Sequence, residues 1–231
     1  MRYIHSTKIY FEDQIRAGYL VVDHGFLIGY LGEEAEIEHA DEYGDLRIIP
    51  GIFDTHNHGT YGYGSCDLAK KEDDERIKED IRHYLHALTY GGVTSIFPTE
   101  TETLKQVAAV AKEGFEDGAY IQGIHSEGPY LNRVGEGGRP EAHPDVDMNY
   151  VKQLWDDSQG LLRLMAISPE IPGSEEVAKF LLSKGVKIAF AHSDVKAAEA
   201  KKAVDAGWSV STHTANVMVG IHHRDIGGLG V

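Results

Sequence analysis

Residues 48–59, Ile48-Ile49-Pro50-Gly51-Ile52-Phe53-Asp54-Thr55-His56-Asn57-His58-Gly59, decide how the chain is organised, because the pattern changes character across them. An apolar run ends there in a polar segment that carries one carboxylate and two imidazoles. Strand side chains alternate with period two, so positions 54, 56 and 58 share one face. Upstream, residues 1 to about 47 read as short strands and turns: Lys8 to Phe11, Gly18 to Asp23 and Phe26 to Leu31 are β-prone, and His24-Gly25 is placed for a tight hairpin. Downstream, short apolar runs alternate with amphipathic stretches, the pattern of repeated βα units on a parallel sheet.

Six such runs can be read: Ile48 to Asp54, Val93 to Pro98, Tyr120 to His125, Leu161 to Ile167, Val186 to Ala191 and Trp208 to His213. Helices fit between them. In the first long one Ile77, Ile81, Tyr84, Leu85 and Leu88 form one apolar face; others are expected over roughly 103–116, 147–157, 174–184 and 196–206. The expectation is an α/β chain with a small N-terminal β-sandwich module at 1–50 and, at 51–231, an incomplete TIM-like (β/α)8 barrel. A whole barrel takes about 250 residues by itself. The sequence stops at Gly227-Gly228-Leu229-Gly230-Val231, so the last strands are expected to lie beyond it. An open doubly wound sheet is the alternative, and it explains the histidine positions less well.

Composition excludes several function classes. A hydrophobic fraction of 42% with 26% charged residues belongs to an ordinary globular chain. The formal net charge of −15, without a Lys/Arg cluster, argues against nucleic acid as a partner. Any small anionic ligand must then be attracted locally, by a metal ion, an Arg or a helix N-terminus. Cys66 is the single cysteine, so no internal disulfide can form. The N-terminus has no apolar signal core and no run of about 18 apolar residues occurs, so neither secretion nor membrane insertion is expected, and a cytoplasmic location fits.

Four strand ends carry candidate chemistry. Thirteen histidines in 231 positions supply about 0.7 His-x-His matches by chance, so His56 and His58 carry little weight alone. Glu127, in Gly123-Ile124-His125-Ser126-Glu127-Gly128-Pro129-Tyr130, falls where a buried strand meets a Gly-Pro turn. A carboxylate there needs a cation or a shifted pKa. His192 and His213 end the apolar runs before them. Strands one, three, five and six thus deliver His or Glu at the C-terminal end, the face where barrel active sites are built. Such nitrogen and oxygen donors suit zinc or another first-row divalent ion.

The quoted stretches, together with Ala191-His192-Ser193, Thr212-His213 through Asn216 and Met218, and Gly220-Ile221-His222-His223-Arg224, resemble N-acetylglucosamine-6-phosphate deacetylases of the amidohydrolase superfamily. The resemblance implies a barrel of the metal-dependent hydrolase type that removes the acetyl group of N-acetylglucosamine 6-phosphate, giving glucosamine 6-phosphate and acetate. It implies Glu127, His192 and His213 as holders of a principal metal, with His56 and His58 completing a second site, hence one or two ions per subunit. It implies His143 as the group that polarises the acetamide carbonyl, and Asn216, Val217, His223 and Arg224 as contacts to the sugar phosphate. Arg224 could reach a neighbouring subunit's site, which favours a homodimer. Thr214-Ala215 and the acidic Pro98-Thr99-Glu100-Thr101-Glu102 loop depart from the family pattern. The family's catalytic aspartate follows its eighth strand and is expected to lie beyond this sequence. Two other readings stand beside this one: a hydrolase of another N-acyl substrate, and an inactive fragment that binds metal or sugar phosphate.

Overall fold

The computed structural model describes residues 1–64, 73–132, 145–214, 217–218 and 227–228. By internal contacts the chain divides into two compact units, Met1–Gly51 and Ile52–Val231.

The first unit is one mixed sheet. Strands β1 (Arg2–Tyr10), β2 (Ile15–Asp23) and β3 (Phe26–Gly32) form an antiparallel meander, and β4 (Asp41–Glu42) and β5 (Arg47–Ile48) run parallel to β1. The β2–β3 connection turns at His24 (φ 46°) and Gly25 (φ 82°), both left-handed, as a two-residue hairpin requires. Strand β1 begins six residues before the expected Lys8, because Arg2 to Ser6 pair in register with Val22 to Gly18. The register slips between Ser6 and Ile9, where the buried Ser6 hydroxyl accepts the Lys8 N–H at 2.9 Å.

In the second unit β6 (Ile52–Asn57) comes first, followed by a short hairpin of β7 (Gly59–Thr60) and β8 (Tyr63–Gly64). Then α1 (Asp74–Leu88), β9 (Val93–Pro98), α2 (Leu104–Glu113), β10 (Tyr120–Ile121) and β11 (Ile124–Glu127) alternate along the chain. The series continues with α3 (Met148–Asp157), β12 (Leu162–Ile167), α4 (Ser174–Ser183), β13 (Lys187–Phe190), α5 (Ala197–Asp205) and β14 (Val210–Ser211). All strand pairings in β6-β9-β10 and in β11-β12-β13-β14 are parallel. A parallel bridge of Thr99 to His125, with the Glu100 N–H donating to the His125 carbonyl at 2.8 Å, carries the ladder from β9 to β11.

Three sequence boundaries are corrected. The run Ile48 to Asp54 is not one strand: Ile48 pairs with β1, and a new strand starts at Ile52. Pro50 lacks a backbone donor, which breaks the ladder there, and the strand then continues through His56. The third run is split at Gln122-Gly123 and reaches past His125 to Glu127. The sixth is short, with only Val210 and Ser211 paired.

Helix α1 starts where the Asp73 carboxylate accepts the Glu75 and Arg76 N–H groups at 2.9 and 3.3 Å, satisfying donors that the first turn leaves open. Its apolar face, Ile77, Ile81, Tyr84, Leu85 and Leu88, is buried as the spacing predicts. That face joins Val107, Val151, Val177 and Leu181 from α2, α3 and α4 in one core with the strand residues Ile96, Ile124, Met165, Ile167 and Ile188. Alternate strand residues Leu164, Ala166 and Ala189, with Ala191 just after β13, pack in a second, smaller cluster with Phe97, Leu131 and Val210. The central strands are thus buried on both sides, as parallel strands covered by helices are.

Truncating the fully buried Leu181 to Ala should remove about 2–5 kcal/mol of stability, since the helix–sheet contact cannot collapse fully around the void. Lys201→Ala, which breaks an exposed pair with Asp205, should change stability by less than about 0.5 kcal/mol. Urea unfolding of both variants measures the contrast.

Candidate metal centre

Strand β11 places His125 and Glu127 two residues apart, hence on one face, and the parallel register sets them beside Leu164 and Ala166 of the small inner cluster. Glu127 is largely buried, with 11% of its side chain exposed. Four imidazoles surround it. His58 Nε2 lies 2.8 Å from Oε2, and His56 Nε2 lies 3.9 Å from the same oxygen. His192 and His213 each place Nε2 3.1 Å from Oε1. An ionised carboxylate can only accept, so the His58 and His192 nitrogens facing it donate.

The sequence explains why these rings converge. His56 lies in β6, and its orientation is set by its neighbours: Asn57 donates its backbone N–H to the Thr99 hydroxyl at 2.9 Å, and the Tyr84 hydroxyl donates to Asn57 Oδ1 at 2.8 Å. Asp54, expected on the same face as the two histidines, does not join them. Its carboxylate folds back to accept the His56 N–H at 3.1 Å and the Asn57 side-chain amide at 2.9 Å. His192 follows β13 and His213 follows β14, and both sit in the left-handed region at φ 46° and 53°. For a residue with a Cβ this conformation costs about 1 kcal/mol or more and persists only where the surroundings impose it.

The carboxylate oxygens sort the histidines into two pairs, His192 and His213 on Oε1, His58 and His56 on Oε2. Donor atoms of His56, Glu127 and His213 also lie within 4.8 Å of one another, and the His56 and His213 rings are 4.9 Å apart, so one ion could draw on both pairs. The donor set of imidazole nitrogens and one carboxylate fits a first-row divalent ion. His56 Nε2 supports that fit directly, since it is buried without a hydrogen-bond partner among the described residues.

Burial alone would raise the Glu127 pKa, but hydrogen bonds from His192 and His58 and the nearby imidazoles outweigh it and hold the carboxyl well below the ordinary value. His56 is shifted down, first by burial, against the opposing pull of Glu127. His125, a residue to which the sequence reading gave no role, is fully buried. Its Nδ1 donates to the Thr55 carbonyl at 2.9 Å and lies 3.2 Å from His56 Nδ1. Burial pushes its pKa down to about 4, the Thr55 contact notwithstanding. The signal was present in the sequence: His125 stands two positions before Glu127 on the same strand. Among the remaining sequence candidates, Val217 is buried and accepts the Ser193 N–H at 3.1 Å through its carbonyl. His143, Asn216, His223 and Arg224 lie outside the described residues.

Fold and cluster together define a parallel α/β unit with a strand-end histidine–glutamate centre suited to a divalent ion. No family model matches the chain. The N-acetylglucosamine-6-phosphate deacetylase of Bos taurus is 30% identical over 204 residues, which cover 83% of this chain and 49% of that protein. The N-acetylgalactosamine-6-phosphate deacetylase of Escherichia coli O157:H7 is 30% identical over 184 residues, 79% of this chain and 48% of the relative. Among solved structures, the N-acetyl-D-glucosamine-6-phosphate deacetylase of Mycobacterium smegmatis superposes with a TM-score of 0.81 at 25% identity, covering 99% of this chain and 60% of that one. By sequence and by structure the chain is homologous to the N-acetylglucosamine-6-phosphate deacetylases, and it spans about half the length of the curated relatives it matches. No helix among the described residues is long and apolar enough to cross a membrane.

His125 gives this centre a pH signature in metal-free protein. Its folded pKa of about 4 is below the ordinary 6.5, so the unfolded chain takes up the proton first. Stability is therefore full above about pH 6.5 and should fall by about 3 kcal/mol as the pH drops to 4. Urea titrations of chelator-treated wild type and His125→Gln from pH 7 to pH 4 should show a flatter profile in the variant. Equal slopes would remove His125 as the source.

Proposed function

We propose that the cluster around Glu127 is the metal centre of a hydrolase that removes the N-acetyl group of N-acetylglucosamine 6-phosphate, and that its parallel strands follow the order of a (β/α)8 barrel. The observation that carries this reading is the convergence of His56, His58, His192 and His213 on one anionic carboxylate, in a chain whose homologues are named as deacetylases of amino-sugar 6-phosphates.

Glu127, His192 and His213 would hold a principal ion, zinc by the chemistry of the donors, and His56 with His58 a second. A divalent ion there supplies acidification of a water molecule and polarisation of the amide carbonyl. The chain's own residues keep the site ready. Glu127 stays anionic at neutral pH because its pKa is depressed. The Thr55 carbonyl, accepting from His125 Nδ1, fixes the His125 ring beside His56. The buried inner cluster of Leu164, Ala166, Ala189 and Ala191 keeps water from behind the carboxylate. The resemblance assigns carbonyl polarisation to His143 and phosphate contacts to Asn216, the Val217 backbone, His223 and Arg224. Arg suits phosphate because its planar fork can donate two parallel hydrogen bonds. Proton delivery to the departing amine is assigned by the same resemblance to the aspartate that follows the family's eighth strand, a position Asp194 does not occupy.

The assay is acetate release from N-acetylglucosamine 6-phosphate by the zinc-loaded protein. Turnover of the phosphorylated sugar should exceed that of the unphosphorylated sugar by about tenfold or more, as loss of a charge-assisted contact implies. Equal rates would favour a different N-acyl substrate. Glu127→Gln should weaken zinc binding by about 100-fold or more and reduce acetate release with it. Zinc retention in that variant would remove Glu127 from the centre. A second reading, the galactosamine epimer as substrate, follows from the equal identity to the Escherichia coli relative, and the same assay run on both epimers decides between them.

A further inference from the structure

One loop beside the metal centre makes four side-chain contacts to residues 191–194. Strand β12 is followed by Ser168-Pro169-Glu170. Ser168 is fully buried, and its hydroxyl lies 2.9 Å from the Ala191 carbonyl and 3.0 Å from the His192 carbonyl while accepting the Asn132 N–H at 2.7 Å. Glu170 continues the pattern. Its Oε1 accepts the Asp194 N–H at 2.6 Å and the Asn132 side-chain amide at 2.8 Å, and its Oε2 accepts the Ser193 hydroxyl at 2.7 Å. Residues 191 to 194 are therefore held before, at and after His192 by two side chains of the preceding strand's loop.

His192 occupies the left-handed conformation at φ 46°. Outside a tight turn such a conformation persists where the surroundings hold it, and the bonds from Ser168 and Glu170 are among the described contacts on its flanking residues that do so. The same scaffold extends further. The Ser193 N–H donates to the Val217 carbonyl at 3.1 Å, and the Val217 N–H reaches the His213 carbonyl at 3.4 Å, so the backbones of both histidines facing Oε1 are connected through it.

We propose that Glu170, with Ser168, is a positioning residue of the metal centre: it holds the His192 backbone left-handed so that Nε2 faces Glu127. This rests on His192 being a metal ligand. Glu170 itself touches no metal donor; it acts through Ser193, Asp194 and Asn132. Neutral glutamine could keep one acceptor for the Asp194 N–H, whereas alanine removes every bond, so the two substitutions are expected to differ in degree.

Zinc affinity is the readout, measured on the whole chain by competition with a chromophoric chelator, with zinc alone as the probe. Glu170→Ala should bind zinc about ten to a hundred times more weakly than wild type, the range for loss of a group that orients a ligand, and Glu170→Gln should fall in between. Urea unfolding in the presence of chelator reports folding separately. If Glu170→Ala does not fold, Glu170→Gln against wild type carries the same comparison. A folded variant with wild-type zinc affinity overturns the positioning role and leaves the metal centre standing. Absence of zinc binding in wild type overturns the metal-centre reading, and this inference with it.

Discussion

The negative charge on Glu127 is the constraint around which the second unit's strand ends are arranged. A carboxylate with 11% of its side chain exposed loses most of its hydration, and the penalty for that would ordinarily protonate it. Here the imidazoles outweigh the penalty. They come from three strand ends, those of β6, β13 and β14, and the carboxylate from β11, so the charge is satisfied only when four separate strand ends are in register. Folding and assembly of the centre are in this sense one event: a slip of one residue in any of β6, β11 or β13 would turn a donor or the carboxylate to the opposite face.

The packing around the centre serves the same end. Small residues, Ala166, Ala189 and Ala191, line the inner cluster next to Glu127, while the bulky Met165, Ile167 and Ile188 alternate with them towards the helices. Bulk on the helix side supplies most of the apolar burial that stabilises the unit. Smallness on the inner side leaves room for the imidazole rings. A single strand such as β12 therefore reads as continuously apolar in sequence, yet its two faces do different jobs.

The βα alternation, the apolar face of α1 and the five clustered side chains were all readable from the sequence, because each rests on a local rule: strand period two, helix period 3.6, or a polar residue ending an apolar run. What the sequence could not show was non-local. The strand expected from Ile48 to Asp54 breaks because Ile48 finds its partner in β1, a pairing that no window around residue 50 contains. Asp54 obeys the alternation yet turns to the His56 N–H and the Asn57 side-chain amide, since two nearby donors satisfy it better than distant imidazoles do. His125 stands in its motif without a role that the sequence shows; its importance comes from burial against His56, which is 69 residues away in the chain. Ser168 and Glu170 were missed although Glu170 follows a buried strand much as Glu127 does. The difference lies in their partners, backbone and hydroxyl groups, which leave no mark of residue type.

The left-handed backbone at His192 and His213 also shapes which sequences can descend from this one. Outside glycine, that region is most accessible to asparagine and aspartate, while β-branched residues are nearly barred from it. A lineage that lost the need for a metal would find few apolar residues able to fill these two positions without bending the loops. Drift would be channelled towards asparagine, aspartate or glycine, so the geometry of the centre would outlast its chemistry in the sequence record.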